Sequence, residues 1–426
     1  MSSFNADVYQ NEYLPVDGAE VNAIVTVTAS NSAAVQPTPP AAAEIVIIDV
    51  SGSMNNPRTK LLAAQQATAA AVDCIRDDVA FSVIGGAQQA FAIYPASGGL
   101  VPATATTRAE AKGAVAGLAV RGGTAIGTWL ALANEMFAAA PAGIRHAILL
   151  TDGQNAHESG EQLGRALAAC EGNFQCDCRG VGTDWEVSEL RRISSALLGT
   201  VDIIADPADM EADFRAMIEG AMGKGVAGVS LRLWTPLGAT VAFVKQVAPS
   251  IEDLTARSTS LDAQTSDYAT GAWGDESRDY HLCIKVPPRS VGDEMLAGRV
   301  SLLIDGEAQS QALIKAIWTQ DEQLSTRINR EVAHYTGQAE LAEAIQDGLE
   351  ARKTGDEATA TFKLGRAVKI AAESGNDATM RLLERVVEVT DPVTGTVRLK
   401  RAVDDADEMA LDTRSSKTAR VTKAGP

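Results

Sequence analysis

The stretch "EIVIIDVSGSMNN", residues 44–56, decides how the chain is read. Its first half is an acid followed by an unbroken apolar run, the pattern of a strand covered on both faces. The run ends on Asp49, and Ser51 and Ser53 follow at alternate positions with Gly52 between them. A strand that stops in an aspartate and two hydroxyls is a turn, a nucleophile, or a cradle of hard oxygen donors. The surrounding sequence discriminates among the three.

From Ala43 to about Met222 apolar runs alternate with helix-forming segments. Strands are expected at 44–49, 79–86, 146–153, 176–182 and 200–206, and helices at 57–77, 107–118, 129–140, 186–197 and 207–222. Pro57 suits the first turn of its helix. The segment "AFAIYPASGGLVPAT" (90–104) reads as a hairpin at the sheet edge. Such alternation predicts an α/β fold with a doubly wound, mostly parallel sheet.

Beyond Gly223 the period falls to two. "GVSLRLWTPLGATVAFVKQV" (228–247), "ESRDYHLCIKVPP" (276–288) and "LAGRVSLLIDGE" (296–307) alternate apolar and polar residues, as does "AEVNAIVTVTAS" (19–30). These segments predict an antiparallel β-sandwich into which the α/β unit is inserted, behind a linker at 34–43. From about Thr319 to Val389 three- and four-residue spacing returns, predicting a bundle of three or four helices. "DDADEMALD" (404–412) is acidic and "TRSSKTARVTKAGP" (413–426) basic, so a disordered tail is expected. The expected organisation is therefore 1–42 (strand and linker), 43–222 (α/β domain), 223–318 (sandwich), 319–392 (helices) and 393–426 (tail).

A chain of 426 residues exceeds a single ordinary core. Its 46% hydrophobic and 22% charged content is that of a globular protein. A net charge of −18 opposes nucleic acid and anionic membrane as partners. No basic-then-apolar opening and no bilayer-length apolar stretch is seen, and five cysteines do not form a disulfide framework. A cytoplasmic protein is expected, and abundant Ala, Val and Gly fit a bacterial source.

In a doubly wound sheet the ligand crevice lies at the carboxyl ends of the strands. Asp49, Ser51 and Ser53 end one such strand, Asp152 in "LLTDG" ends another, and Thr124 sits in the loop "RGGTAIG". Five oxygen-bearing side chains from three loops thus converge. Asp49 and Ser51 alone would be an ordinary cap or turn. All five together suit a hard cation such as Mg²⁺, with hydroxyls as direct ligands and the aspartates reaching the ion or its waters. Little direct negative charge would leave the ion electrophilic toward an outside carboxylate. Catalysis fits less well. Phosphoryl transfer at a strand-end aspartate wants a second acid two residues on, where this chain has Ser51, and no lysine is recognised in a suitable loop. "DVSGS" is not a Gly-x-Ser-x-Gly elbow, and His146, His157, His281 and His334 are scattered.

Residues 43–222 resemble the von Willebrand factor A domain family, whose metal-ion-dependent adhesion site is D-x-S-x-S, then a threonine, then an aspartate. The matching positions are Asp49, Ser51 and Ser53, Thr124 in Gly-Gly-Thr, and Asp152 in Thr-Asp-Gly. The resemblance implies Mg²⁺ or Mn²⁺ held by Ser51, Ser53 and Thr124, with Asp49 and Asp152 acting mostly through water. It implies an acidic residue of a partner protein at the remaining position. A non-enzymatic adaptor of a bacterial signalling or assembly system is expected. The alternative is an accessory subunit of an ATPase- or chelatase-like complex.

Cys176 and Cys178 are expected to be a buried pair on one strand face, with Cys74 and Cys283 in the core. Trp185 is expected to pack, and Arg191 and Arg192 to face solvent. Thr413 and Thr418 are expected to be accessible in the tail to a Ser/Thr kinase that prefers upstream acids. Once phosphorylated they would be readable by a phosphothreonine-binding domain.

Overall fold

The structure, a computed structural model, describes residues 3–30, 41–77, 79–418 and 420. Two compact units divide the chain: Gln36–Ala227, and Met1–Val35 together with Gly228–Pro426. The α/β unit is thus an insertion between sandwich strands, as expected. Most of the 34–43 linker lies outside the described residues.

In the α/β unit the sheet order is Val201–Ile204, Gln175–Val181, Ile144–Thr151, Ala42–Asp49, Ala80–Gly86, then an antiparallel edge. The central strands are buried along nearly their whole length, which is why they read as continuous apolar runs. Alternate residues serve opposite faces. Val46, Ile48, Ile148 and Leu150 join one core with Ala64, Ala111 and Phe214, from the helices Thr59–Cys74, Ala105–Ala116 and Met210–Met222. The chain leaves Ala42–Asp49 for Ala80–Gly86 on one side and returns to Ile144–Thr151 on the other. The switch point therefore falls between the strands carrying Asp49 and preceding Asp152.

Two local expectations are corrected. Phe91–Tyr94 and Val101–Pro102 do not pair with each other as a hairpin. Both run antiparallel to Ala80–Gly86 and make one interrupted edge. The turn signals Gly98 and Gly99, both at positive φ, serve the intervening loop instead. Helix Gly160–Cys170, absent from the sequence expectation, is opened by a reciprocal capping box of Ser159 and Gln162.

The second unit packs a five-stranded antiparallel sheet holding Ser3–Gln10, Glu20–Ser30, Ser277–Lys285 and Thr240–Ala248 against a six-stranded sheet built on Val226–Trp234, Glu294–Ile304 and Glu307–Trp318. Phe4 meets Trp273 edge-on across the interior, and Arg278 lies 4.3 Å over the same indole. The alternating burial of Glu307–Trp318 is the period-two pattern of its sequence.

Helices Arg330–Lys353, Glu357–Ser374 and Asp377–Val386 follow, then a hairpin of Val387–Asp391 with Thr396–Leu399 and a helix Asp405–Arg414. The disordered tail expected over 393–426 is therefore corrected through residue 418. The acidic run is the start of a helix: Asp404 accepts from the Ala406 amide, and Asp405, Asp407 and Glu408 occupy the first turn, where the helix dipole favours acids. Leu411 is buried in the helical core. Thr413 is buried and its hydroxyl donates to the Met409 carbonyl, while the Thr418 hydroxyl donates to the Val247 carbonyl. Neither is the accessible phosphorylation site expected, because the segment is packed; residues 421–426 lie outside the described residues.

Arg420 caps this packing. It donates 3.0 and 2.7 Å bonds to Asp279, a buried sandwich carboxylate that also receives the hydroxyls of Thr26 and Tyr335. Among the described residues no helix is long and apolar enough to cross a membrane.

Candidate metal centre

All five predicted donors meet at the carboxyl end of the parallel sheet. Asp49 is the last residue of its strand and fully buried. Its Oδ1 accepts the Ser51 amide at 2.7 Å, and its Oδ2 accepts the Thr151 hydroxyl at 2.6 Å. Burial lifts the Asp49 carboxyl to about 6, against the downward pull of those hydrogen bonds. Ser51 and Ser53 flank Gly52 at the head of a 3₁₀ turn, and their hydroxyls lie 2.9 Å apart. Ser53 Oγ donates to Asp152 Oδ1 at 2.6 Å.

Thr124 arrives by a different route. Gly86 and Trp129 fix its helix: a Cβ on Gly86 would stand 2.5 Å from the Trp129 ring, whose Nε1 donates to the Ala87 carbonyl. The start of helix Ile126–Ala138 is held from the loop after Asp152. Asn155 accepts the Ile126 amide and Glu158 the Gly127 amide. Gly122 adopts φ +66°, and a Cβ on Gly123 would stand 2.1 Å from the His157 ring. Both glycines before Thr124 are thereby explained. His157 Nδ1 accepts the Thr124 amide at 3.1 Å.

The donor set fits a hard divalent ion. Gly153 backs the cradle: a Cβ there would stand 3.0 Å from Ser53 Oγ and 3.7 Å from Thr124 Oγ1. Ser51, Ser53, Thr124, Gly153 and Asp184 line a cavity of about 380 Å³. Among the described residues no three His, Cys, Asp or Glu side chains gather as metal ligands. Oxygen donors here are chiefly hydroxyls, as a Mg²⁺-type site built on Ser and Thr requires.

The structure also brings in residues that sequence reasoning missed. Lys60, in the first turn of Thr59–Cys74, is buried and places Nζ 2.9 Å from Asp152 Oδ2 and 3.3 Å from Asp184 Oδ2. The sequence offered no lysine from a loop, and the one that reaches the site comes from a helix. Asp184 likewise carried no motif, and Thr151 stood in the Thr-Asp-Gly motif without an assigned role.

Elsewhere in the unit, His146 is clamped between Glu44 and Asp177, with Nδ1 2.8 Å from Glu44 Oε1 and Nε2 3.1 Å from Asp177 Oδ2. Burial opposes its charge, yet the two carboxylates raise it to about 10, so it stands as an imidazolium donating from both nitrogens. Cys176 and Cys178 are buried, as expected. Cys283 is in the core, but Cys74 is only partly buried. Trp185 packs over Gly180 and donates to the Gly182 carbonyl.

A doubly wound domain with a hydroxyl-rich cradle at its switch point, set into an antiparallel sandwich, defines a von Willebrand factor A-type architecture. The model of the von Willebrand factor type A domain matches residues 43–203, and that of the von Willebrand factor type A C-terminal domain matches 369–415. The solved structure described as von Willebrand factor type A from Catenulispora acidiphila is 49% identical, covers 99% of this chain and 98% of its own, and superposes with a TM-score of 0.94. The chain belongs to the von Willebrand factor type A family. The ArnB paralog VWA2 from Sulfolobus acidocaldarius shares the fold at 14% identity, covering 97% of this chain and 98% of its own with a TM-score of 0.60. The human COPII-coat protein Sec24c covers 90% of this chain and 57% of its own at 11% identity and a TM-score of 0.53. A search of curated proteins gave no match.

Proposed function

We propose that this protein is a non-enzymatic adaptor that uses a divalent ion, Mg²⁺ or Mn²⁺, to grasp an acidic residue of a partner protein. The observation that carries this reading is the convergence of Asp49, Ser51, Ser53, Thr124 and Asp152 in one hydrogen-bonded cradle at the sheet's switch point. Ser51, Ser53 and Thr124 would hold the ion directly. Asp49 and Asp152, whose oxygens already accept protein hydrogen bonds, would act chiefly through its waters. The bound ion supplies an electrophilic site for a carboxylate. Membership of a family whose fold serves protein interaction and adhesion supports the same reading.

The test is partner capture with wild-type protein and Asp49→Ala, each in Mg²⁺ and in EDTA. Loss of a partner by both the substitution and the chelator is expected. A partner set indifferent to both would move the binding function to the sandwich or the helices.

A further inference from the structure

Lys60 stands where elementary electrostatics argues against it. A buried ammonium loses its hydration, and a cation in the first turn of a helix opposes the helix dipole. Helix Thr59–Cys74 has no acid in its first turn, and Arg58 precedes it at the N-cap. The Lys60 side chain is nevertheless only 7% exposed, with Nζ 2.9 Å from the fully buried Asp152. Its second contact, Asp184, is 72% exposed and adds a weaker, solvent-screened attraction.

Both Asp152 oxygens are consequently engaged, Oδ1 by the Ser53 hydroxyl and Oδ2 by Lys60. The wall behind the ammonium is Gly182 at φ +67°, where a Cβ would lie 3.7 Å from Nζ. The charge count follows. Among the buried groups, Asp49 and Asp152 contribute −2 and Lys60 returns it to −1; Asp184, 72% exposed, is screened by solvent and stands outside this count. A divalent ion then leaves the centre at +1, one carboxylate short of neutrality; without Lys60 the loaded centre would be neutral.

We propose that Lys60 is the charge-setting residue of the cradle: its ammonium holds Asp152 off the ion, weakening the metal's seat while keeping the seated ion one charge positive toward a ligand carboxylate. This rests on the metal reading above and deepens it, since it makes demand for an acidic ligand a property of the chain's own charges. Lys60 acts through Asp152 and is a positioning residue. Its removal has an effect opposite to that of damaging the site: metal should bind more tightly, and carboxylate more weakly.

The experiment is titration of the full chain with Mn²⁺ alone, reading free Mn²⁺ by electron paramagnetic resonance. Wild type, Lys60→Met, Lys60→Gln, Lys60→Arg and Asp49→Ala are compared. Lys60→Met keeps the stem and removes the charge, and Lys60→Gln also keeps a donor for Asp152, which preserves folding if the first variant is unstable. Removing one nearby charge predicts about tenfold tighter Mn²⁺ binding in both, with Lys60→Arg near wild type. In a second arm acetate is titrated into the Mn²⁺-loaded proteins and water-proton relaxation is followed. The neutral variants should need about tenfold more acetate than wild type to displace the metal's water. Unchanged or weaker Mn²⁺ binding in folded neutral variants would overturn the proposal. If Asp49→Ala binds Mn²⁺ as wild type does, the metal reading fails instead, because the ion then sits elsewhere. Mn²⁺ binding by the neutral variants but not by wild type would support the proposal in its strongest form, with Lys60 standing in for the ion. Binding by none would overturn both.

Discussion

The parallel sheet carries two buried clusters in which acids enclose a cation, and they are built in opposite ways. In its interior, Glu44, His146 and Asp177 sit on three adjacent strands and satisfy one another. Each His146 nitrogen has its carboxylate, and Asp177 further accepts the amide and hydroxyl of Thr200. At the carboxyl end, Asp49 and Asp152 also share their surroundings with a cation, Lys60, but three hydroxyls gather beside them on a cavity. A closed network spends its lone pairs internally and stabilises the fold. An open one keeps hydroxyl oxygens facing a cavity, where the proposed ion would sit. Acid content does not distinguish the two; the hydroxyls and the glycines around them do.

The largest effect that sharpens this contrast is expected from His146→Leu. It leaves Glu44 buried without its partner and should destabilise the domain by about 3–5 kcal/mol while leaving Mn²⁺ binding unchanged once folded. Denaturant unfolding and Mn²⁺ titration check the two halves. The same pair gives a pH signature. Because the folded His146 is raised from its ordinary 6.5 to about 10, its contribution is whole below the lower value and lost as pH rises through the upper. The wild type's melting temperature should therefore fall from neutral toward pH 10 as His146 loses its proton, and a rise over that window would break the account.

Next in size is metal linkage. At a hundredfold excess of Mg²⁺ over its dissociation constant the wild type should gain about 2.7 kcal/mol, and chelation should remove it. Asp49→Ala should show none of that gain. An effect of comparable or smaller size is expected from Thr151→Val, which deprives buried Asp49 of its 2.6 Å hydroxyl bond. A loss of about 1–3 kcal/mol in unfolding free energy is expected, since a buried acceptor is left short of a donor.

The contrast also explains what the sequence disclosed. Asp49, Ser51 and Ser53 announce themselves because strand geometry and Gly52 bring alternate positions together within one short stretch. Thr124 and Asp152 stand in glycine-marked turns at strand and helix ends. Glu44 and His146 are 102 residues apart and meet only through strand order, so no local spacing reveals them. Lys60 looks like a solvated residue of an Ala-rich helix; the packing of that helix onto the sheet aims it at Asp152. At the other end of the chain, acidic content suggested disorder over 404–412. The Asp404 cap is a local signal readable in the sequence, but the burial of Leu411 depends on helices contributed from elsewhere in the chain.

The central claim is that the open cluster, and not the closed one, holds the ion. Crystals grown with Mn²⁺ and measured for anomalous scattering test this directly. One peak beside the hydroxyls of Ser51, Ser53 and Thr124 is predicted, absent from Asp49→Ala crystals. A peak at Glu44, His146 and Asp177, or none at the cradle under saturating Mn²⁺, would contradict the account.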